Sequence, residues 1–333
     1  MTWLITGGAG YIGAHVVRSM TAAGEDVVVL DDFSSGRAGR LPDTVPVERG
    51  SVLDRETVNR VLAAHRVTGV VHVAAKKRVE ESVDRPLLYY RENLHGLTVL
   101  LEAVTAAGVD RFVLSSSAAV YGMPDTELVT EETPCRPLNP YGETKLAGEW
   151  LVRAAGRAHG LRSVCLRYFN VAGAAHPDLA DTGVSNVIPM FFDRLGQGLA
   201  PRIFGDDYPT PDGTCVRDYV HVEDVAEAHL AAARLLGGQD SPGDLTVNIG
   251  TGRGASVREL AGLVAEITGH RDVLPEVTGR RAGDPARVVA SVGLAAARLG
   301  FTASRDLRDM VSSAWRGWTA SVPGGQESAG QST

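Results

Sequence analysis

The sequence predicts an α/β protein with a doubly wound parallel sheet and a smaller, interleaved C-terminal lobe. In the first half of the chain, short runs that are apolar throughout alternate with helical periods. Strands of that kind are buried on both faces, which requires helices on each side of a parallel sheet. Glycine is also over-represented, with 38 among 333 residues against an average of roughly 7%. We therefore expect glycines at tight turns between strands and helices.

The elements of the first half follow from these runs in order. Apolar runs predict strands at 2–6, 27–30, 69–75, 112–114 and 164–166. Apolar residues at helical spacing predict helices at 11–23, after the capping residue Asp54, at 86–107 and from Pro140 onward. Gly24 and Gly108 are expected to end two of these helices, because glycine readily adopts the left-handed conformation there.

The second half of the chain is less regular. A turn-rich loop is predicted at 206–214, helices at 223–236 and 257–268, and a strand at 245–249. These elements predict a first domain at 1–170, with a returning segment near 218–250, and a second lobe at 171–320. The tail at 321–333 has little apolar content and is predicted to be disordered.

Composition and charge exclude several classes of protein. The net charge is -7 without a dense basic block, so no nucleic-acid partner is expected. No apolar run approaches the roughly 18 residues that a membrane span requires, so no membrane association is expected. Cys135, Cys165 and Cys215 are far apart and odd in number, which predicts neither a metal site nor disulfides and favours a cytoplasmic location.

A glycine-rich loop follows the first predicted strand. Gly7, Gly10 and Gly13 lie between that strand and the first helix. Glycines there permit a tight turn and let the backbone approach a pyrophosphate at the positive helix N-terminus. Asp31, at the end of the second strand, is placed to accept hydrogen bonds from an adenosine ribose and to repel a 2′-phosphate. The pattern therefore predicts a Rossmann-type domain that binds NAD rather than NADP.

Tyr141 and Lys145 have the spacing of neighbours on one helix face. A lysine ammonium beside a tyrosine stabilises the phenolate. A tyrosine base near neutral pH needs its pKa, ordinarily near 10, lowered by about three units, to which Lys145 and a cationic nicotinamide can both contribute. We therefore predict that Tyr141 is a general base whose pKa is lowered by Lys145.

Three serines at 115–117 come directly after the strand predicted at 112–114. Strand C-termini face the ligand crevice in sheets of this kind. A hydroxyl there is therefore placed to bind both a sugar hydroxyl and Tyr141. The pattern alone leaves open which of the serines points into the crevice.

Several longer stretches together carry a family resemblance. They are GGAGYIG at 7–13, DDFSSG at 31–36, SSSAAVYG at 115–122, NPYGETK at 139–145, LRYFNVAGA at 166–174, the run 203–226 and RRAGDPARVVAS at 280–291. With these motifs the chain resembles the extended short-chain dehydrogenase/reductase superfamily and, within it, the UDP-hexose 4-epimerases. The resemblance covers nearly the whole chain except the tail. It implies an enzyme, an isomerase acting on carbohydrates, with an NAD-binding domain and a UDP-sugar lobe.

The resemblance also implies a reaction and a set of site residues. The reaction is the NAD-dependent interconversion of UDP-glucose and UDP-galactose, by oxidation at C4 to a 4-keto sugar and reduction on the opposite face. The catalytic residues are Tyr141, Lys145 and Ser117, the last binding the sugar O4. The NAD-site residues are Gly7, Gly10, Tyr11, Ile12, Gly13, Asp31, Asp32, Ser34, Ser35, Gly36, Ser51, Val52, Val73, Ala74, Ala75, Lys77, Asn93, Tyr141, Lys145 and Phe169. The substrate residues are Ser117, Asn170, Asn186, Ile203, Phe204, Arg217, Arg281 and Asp284. A homodimer is the family-level expectation.

Other functions on the same fold stay open. Related dehydratases carry Asp-Glu where this chain has Ala118 and Ala119, which cannot transfer protons and so favour simple epimerisation. The alternatives are another nucleotide-sugar epimerase, including a UDP-N-acetylhexosamine 4-epimerase, or a 4-ketoreductase. Val288 lies where residue size is thought to admit or exclude N-acetyl groups, and its intermediate size leaves both sugars open. A non-catalytic NAD-sensing regulator is a further alternative, which the intact Tyr141/Lys145 pair disfavours.

Overall fold

The computed structural model describes residues 1–239, 241–281 and 283–321. The strands are β1 Thr2–Thr6, β2 Asp26–Asp31, β3 Val47–Arg49, β4 Gly69–His72, β5 Arg111–Ser117, β6 Arg162–Tyr168, β7 Asn170–Ala172, β8 Arg202–Phe204, β9 Val216–His221, β10 Asp244–Ile249, β11 Gly254–Ser256, β12 Glu276–Thr278 and β13 Arg287–Val288. The helices are α1 Tyr11–Ala22, α2 Arg55–Ala64, α3 Val79–Asp84, α4 Pro86–Tyr89, α5 Gly96–Ala106, α6 Pro140–His159, α7 Val187–Gly196, α8 Val222–Gly237, α9 Val257–Thr268, α10 Gly293–Leu299 and α11 Leu307–Ser321.

Within the described residues, one sheet has seven strands in the order β10-β6-β5-β4-β1-β2-β3, all paired in parallel. The chain runs outward from β1 in one direction through β2 and β3, and then in the other direction from β4. Ligands bind in the crevice that such a reversal of strand order opens at the C-terminal ends of the strands. The predicted doubly wound parallel fold is confirmed.

Apolar side chains cover both faces of this sheet. On one face, Met20 of α1 and Leu236 of α8 pack with β-strand residues such as Val29. On the other face, Leu62 of α2 and Leu100 of α5 belong to a second buried cluster. Because both faces are buried, the central residues of the strands are mostly apolar, which is the pattern that predicted them.

The second lobe contains β9, which pairs with β7, β11 and β13, and a separate pair formed by β8 and β12. Its apolar core includes Phe191 and Phe192 of α7 and Val264 of α9. The segment near 218–250, which was predicted to return to the first domain, contributes to both sheets. Its strand β9 joins the smaller sheet, whereas β10 is an edge strand of the large one. The predicted boundaries at 170 and 171 stay a prediction.

Several local predictions differ from the structure. The strand predicted at 69–75 ends at His72. The helix predicted at 86–107 is divided into α4, a π-helical turn at Tyr90–His95 and α5. The serines at 115–117 lie inside β5 rather than after it. Ser321 was predicted to begin a disordered tail but is the last residue of α11. This helix packs on the second lobe, since its Met310 and Val311 are buried there. The rest of the predicted tail, 322–333, lies outside the described residues.

Candidate active site

A cavity opens where β1, β2 and β4 end and extends to α6 and to the segment 180–186. Most of the predicted cofactor residues line it, namely Gly7, Gly10, Tyr11, Ile12, Gly13, Asp31, Asp32, Ser34, Ser35, Ser51, Val52, Val73, Ala74, Ala75, Lys77, Tyr141 and Lys145. It is also lined by residues that the sequence did not indicate, among them Arg37, Arg40, Tyr168 and Asp181. The glycine loop, the acidic end of β2 and the Tyr–Lys helix therefore share one site.

The glycine loop is shaped by backbone crowding. Gly7 has a φ of 72°, and a Cβ on it would lie 2.6 Å from the backbone nitrogen of Ala74. A Cβ on Gly13 would lie 2.1 Å from the carbonyl oxygen of Gly7. Gly10 precedes α1 and carries no side chain to cap it, so the first N–H groups of the helix stay available to an anion. The loop therefore fits a pyrophosphate.

Asp31 both organises this loop and borders the cavity. Its carboxylate accepts hydrogen bonds from the backbone N–H of Ala9 at 2.9 Å and of Phe33 at 2.8 Å. Burial raises the pKa of Asp31, and these two hydrogen bonds oppose the rise. Each oxygen keeps a further lone pair for a ligand hydroxyl. The position is consistent with the predicted contact to a ribose.

The segment 180–186 is held over the cavity by ionic and hydrogen-bonding contacts. One carboxylate oxygen of Asp181 accepts from Lys77 Nζ at 3.3 Å and from Asn186 Nδ2 at 2.7 Å. The buried Arg40 donates to the carbonyl oxygen of Ala180 at 2.8 Å. The segment is thus tied to both the loop after β2 and the loop after β4. The sequence analysis singled out Asn186 in this segment but did not indicate Asp181 or its contacts.

Tyr141 and Lys145 line the cavity, and Ser117, which does not line it, hydrogen-bonds Tyr141. Lys145 Nζ donates to the carbonyl oxygen of Ser115 at 2.8 Å and lies 5.9 Å from the centre of the Tyr141 ring. Burial raises the pKa of Tyr141, and a hydrogen bond from Ser117 opposes the rise. Desolvation of the phenolate outweighs this hydrogen bond, and the predicted lowering of the Tyr141 pKa by Lys145 stays a prediction.

The three serines of β5 have different partners. The hydroxyl of Ser115 bonds His229 of α8 at 2.8 Å, and the hydroxyl of Ser116 donates to Glu149 of α6 at 2.5 Å. The Ser117 hydroxyl accepts from the N–H of Ala119 at 3.2 Å and hydrogen-bonds the phenol of Tyr141. The first two hydroxyls are therefore committed to helices on either face of the sheet, whereas the assignment of Ser117 to the site stays a prediction.

Three predicted cofactor residues lie outside the cavity lining. The Asn93 amide accepts from the N–H of Lys76 at 2.8 Å and donates to its carbonyl at 3.0 Å. Asn93 therefore fixes the segment after β4 without lining the cavity itself. It lies in the π-helical turn Tyr90–His95, and such turns are frequent at functional sites. A Cβ on Gly36 would lie 2.8 Å from Ala9 Cβ, so Gly36 packs against the loop. Phe169 is buried in a separate apolar cluster.

Apart from Ser117 of β5, the predicted substrate residues lie in the second lobe, and none of the predicted substrate residues is among the described residues that line this cavity. Arg217 pairs with the carboxylate of Asp284, and the guanidinium of Arg281 lies 3.9 Å from the ring centre of Phe204. Ile203 is buried in the lobe core, whereas Asn170 is exposed on β7 and Asn186 precedes α7.

Two observations concern other kinds of site. In the described ranges, no cluster of three or more His, Cys, Asp or Glu side chains is placed to hold a metal ion. None of the helices in those ranges combines the length and apolar character required to cross a bilayer.

Comparisons with known proteins identify the family. Residues 3–250 match the model of the NAD dependent epimerase/dehydratase family. The chain belongs to this family. Among its curated members, UDP-glucose 4-epimerase of Azospirillum brasilense is 44% identical over 98% of this chain and 94% of its own length. That of Streptomyces lividans is 43% identical over 98% and 99%. A crystal structure of UDP-glucose-4-epimerase from Stenotrophomonas maltophila with bound NAD and formylated UDP-arabinopyranose has a TM-score of 0.90 and 39% identity, covering 96% of this chain and 98% of that one. The predicted resemblance is confirmed.

Proposed function

We propose that this member of the NAD dependent epimerase/dehydratase family is a UDP-glucose 4-epimerase that interconverts UDP-glucose and UDP-galactose with bound NAD. The observation that carries the proposal is that Lys145 and Tyr141, the latter hydrogen-bonded to Ser117, border the same cavity as the glycine loop. The curated relatives with this name match nearly the full chain, which supports the same assignment.

The residues of the cavity fit NAD. The loop of Gly7, Gly10 and Gly13 would hold the pyrophosphate, and Asp31 would hold the adenosine ribose. Lys145 would contact the nicotinamide ribose at the other end of the cavity. When bound, NAD supplies a reversible two-electron acceptor for the sugar carbon and a positive charge on its nicotinamide.

Tyr141 would take the proton from the sugar O4 and later return it, with Ser117 hydrogen-bonding the same oxygen. For the first step Tyr141 must be ionised, although burial raises its pKa. A positive charge close to the phenol must therefore lower the pKa of Tyr141 and so offset the cost of desolvating its phenolate. Lys145 is the charged group of this chain nearest to that role, with Nζ 5.9 Å from the ring centre.

The UDP part of the substrate would be held by the second lobe. Arg217 and Arg281 suit bidentate binding of phosphate oxygens, and Asn170, Asn186, Phe204 and Asp284 would supply the remaining contacts. In the structure Arg217 is paired with Asp284, so binding of a diphosphate would require the guanidinium to exchange a carboxylate for a phosphate. Ile203 is buried and would contribute through its backbone.

The deciding experiment is turnover by the purified full-length protein. We expect UDP-galactose to be converted to UDP-glucose without any added reductant, because the reaction is redox-neutral. Binding of NAD with no conversion of UDP-galactose or of its N-acetyl analogue would contradict the proposal and would favour a non-catalytic NAD-binding role.

Replacing Asp181 by asparagine should loosen the cofactor. The change removes the ion pair with Lys77, whose side chain is 47% exposed, and pairs of that kind contribute about 0.2–1 kcal/mol. We therefore expect NAD to dissociate about two- to fivefold faster, measured by exchange with labelled NAD. Asp178→Asn is the matched control, since it removes an exposed charge nearby. Equal release rates for the two variants would show that the segment does not retain the cofactor.

We further propose a homodimer. Leu87 of α4 and Trp150 of α6 are 83% and 59% exposed, and the two helices are in contact. Large apolar side chains exposed on adjacent helices are typical of an interface. The cytoplasmic location stays a prediction.

A further inference from the structure

Glu149 is a buried carboxylate beneath the candidate active site. It is 1% exposed, and Arg167 of β6, with a side chain 6% exposed, donates to both of its oxygens at 2.9 and 2.6 Å. Ser116 of β5 donates to it at 2.5 Å. Glu149 thus joins α6 to two neighbouring strands. Buried ion pairs often contribute little net stability compared with apolar side chains of similar volume. Stability alone therefore does not explain why the Glu149–Arg167 pair lies here.

Its position in the chain places it next to the catalytic lysine. Tyr141, Lys145 and Glu149 follow one another at intervals of four on α6, and such residues share one helix face. Lys145 bonds the carbonyl of Ser115, and Glu149 bonds the hydroxyl of the following residue, Ser116. Two consecutive residues of β5 are therefore fixed to two consecutive turns of α6.

The electrostatics of Lys145 depend on this pair. Burial lowers the pKa of Lys145 to about 8, and the Glu149 charge opposes that decrease. Other ionisable groups face this region from neighbouring elements. They are His72 of β4, Glu81 and Glu92, which line the cavity, Tyr121, Tyr168 of β6 and His229 of α8, and, around the Glu149–Arg167 pair, Cys135, Arg153 of α6 and Cys165 of β6. Burial lowers the pKa of His72 to about 3 and of His229 to about 4, and it raises those of the tyrosines. Among the lysine, histidine and tyrosine groups here, Lys145 is thus the one placed to lose its proton just above neutral pH.

We propose that Glu149 is a positioning residue for the epimerase reaction, one that keeps Lys145 charged and in place, and that Arg167 limits the strength of its charge. The proposal rests on the proposed function, since it concerns the lysine that acts on Tyr141. Neither Glu149 nor Arg167 lines the cavity in the structure, so both act through Lys145 rather than on the substrate.

The test compares the pH dependence of kcat for Glu149→Gln and Arg167→Met holoenzymes. Losing Glu149 removes the negative charge that opposes the lowered pKa of Lys145 and leaves Arg167 without its carboxylate partner, so activity should be lost on the alkaline side about one pH unit earlier than in the unsubstituted enzyme. Losing Arg167 leaves a negative charge, so the alkaline limit should move in the opposite direction. A purely structural role would reduce kcat in both variants without opposite shifts.

Two further variants keep the test decisive if a single change prevents folding. Glu149→Asp retains the charge and should keep the alkaline limit of the unsubstituted enzyme, unlike Glu149→Gln. The double variant that combines Glu149→Gln with Arg167→Met removes both charges. Its alkaline limit of kcat should lie close to that of the unsubstituted enzyme. Alkaline limits that are unchanged, or that move the same way in both single variants, would overturn the inference. Absence of turnover in the unsubstituted protein would instead overturn the proposed function.

Discussion

Tyr141→Phe should lower kcat by about a hundred- to ten-thousandfold, the usual contribution of a general base. The substitution removes the phenol that Ser117 hydrogen-bonds and that would accept the O4 proton, while the ring that borders the cavity is kept. NAD should therefore remain bound, which can be measured by its release on denaturation. The rate is measured by conversion of UDP-galactose.

Tyr90→Phe is the control for this substitution. The Tyr90 hydroxyl donates to Glu143 of α6 at 2.7 Å, and Tyr90 does not line the cavity. The control therefore removes the same kind of atom outside the cavity, and its rate should stay near that of the unsubstituted protein. A Tyr141→Phe rate within tenfold of the unsubstituted protein would mean that another group carries the proton.

Gly13→Ala should yield a folded protein that has lost its cofactor. The added Cβ would lie 2.1 Å from the carbonyl oxygen of Gly7 and 2.8 Å from Gly8 Cα, so the loop must move and its N–H groups can no longer converge on a pyrophosphate. We expect bound NAD, and with it turnover, to fall by on the order of a hundredfold, since misplacement of about 1 Å at a positioning group can cost that much. The NAD content of the purified protein is the direct measurement.

The matched control is Gly262→Ala in the exposed part of α9. A Cβ there meets no atom within 4 Å, and alanine is favoured over glycine in a helix by about 0.8–1 kcal/mol. The control should therefore raise the melting temperature slightly and keep NAD. Full NAD occupancy in Gly13→Ala would show that the glycine loop does not set cofactor binding.

The sequence predicts the framework of the sheet well, because each strand is specified by its own residues. The run Thr2–Thr6 and the helix Val257–Thr268 are found with the predicted bounds. Asp54 caps α2 through hydrogen bonds from the N–H of Glu56 and Thr57. Local rules suffice there, since apolar periodicity and capping chemistry both depend on residues that are close in sequence.

Features that depend on distant partners were not predictable. The serines at 115–117 were predicted to follow the strand rather than to belong to it, because polar residues in a buried strand are favourable only when partners from other elements meet them. Here His229 and Glu149 do so. The ion pair of Glu149 and Arg167 joins residues from different elements, and no local pattern links them. Likewise, α11 packs on the second lobe, although its sequence was not read as a helix.

The shared oxygen of Asp181 has a thermodynamic consequence. It accepts from Lys77, which borders the cofactor cavity, and from Asn186, which is a proposed substrate contact. A nucleotide sugar that drew the Asn186 amide away would leave the oxygen to Lys77 alone and would thereby strengthen the ion pair that borders the cofactor cavity. By linkage such an effect would be reciprocal, so that bound NAD would raise the affinity for the nucleotide sugar by the same factor by which the sugar raises that for NAD. One carboxylate would thus make the two binding events cooperative and favour retention of the cofactor when it is most needed, during turnover.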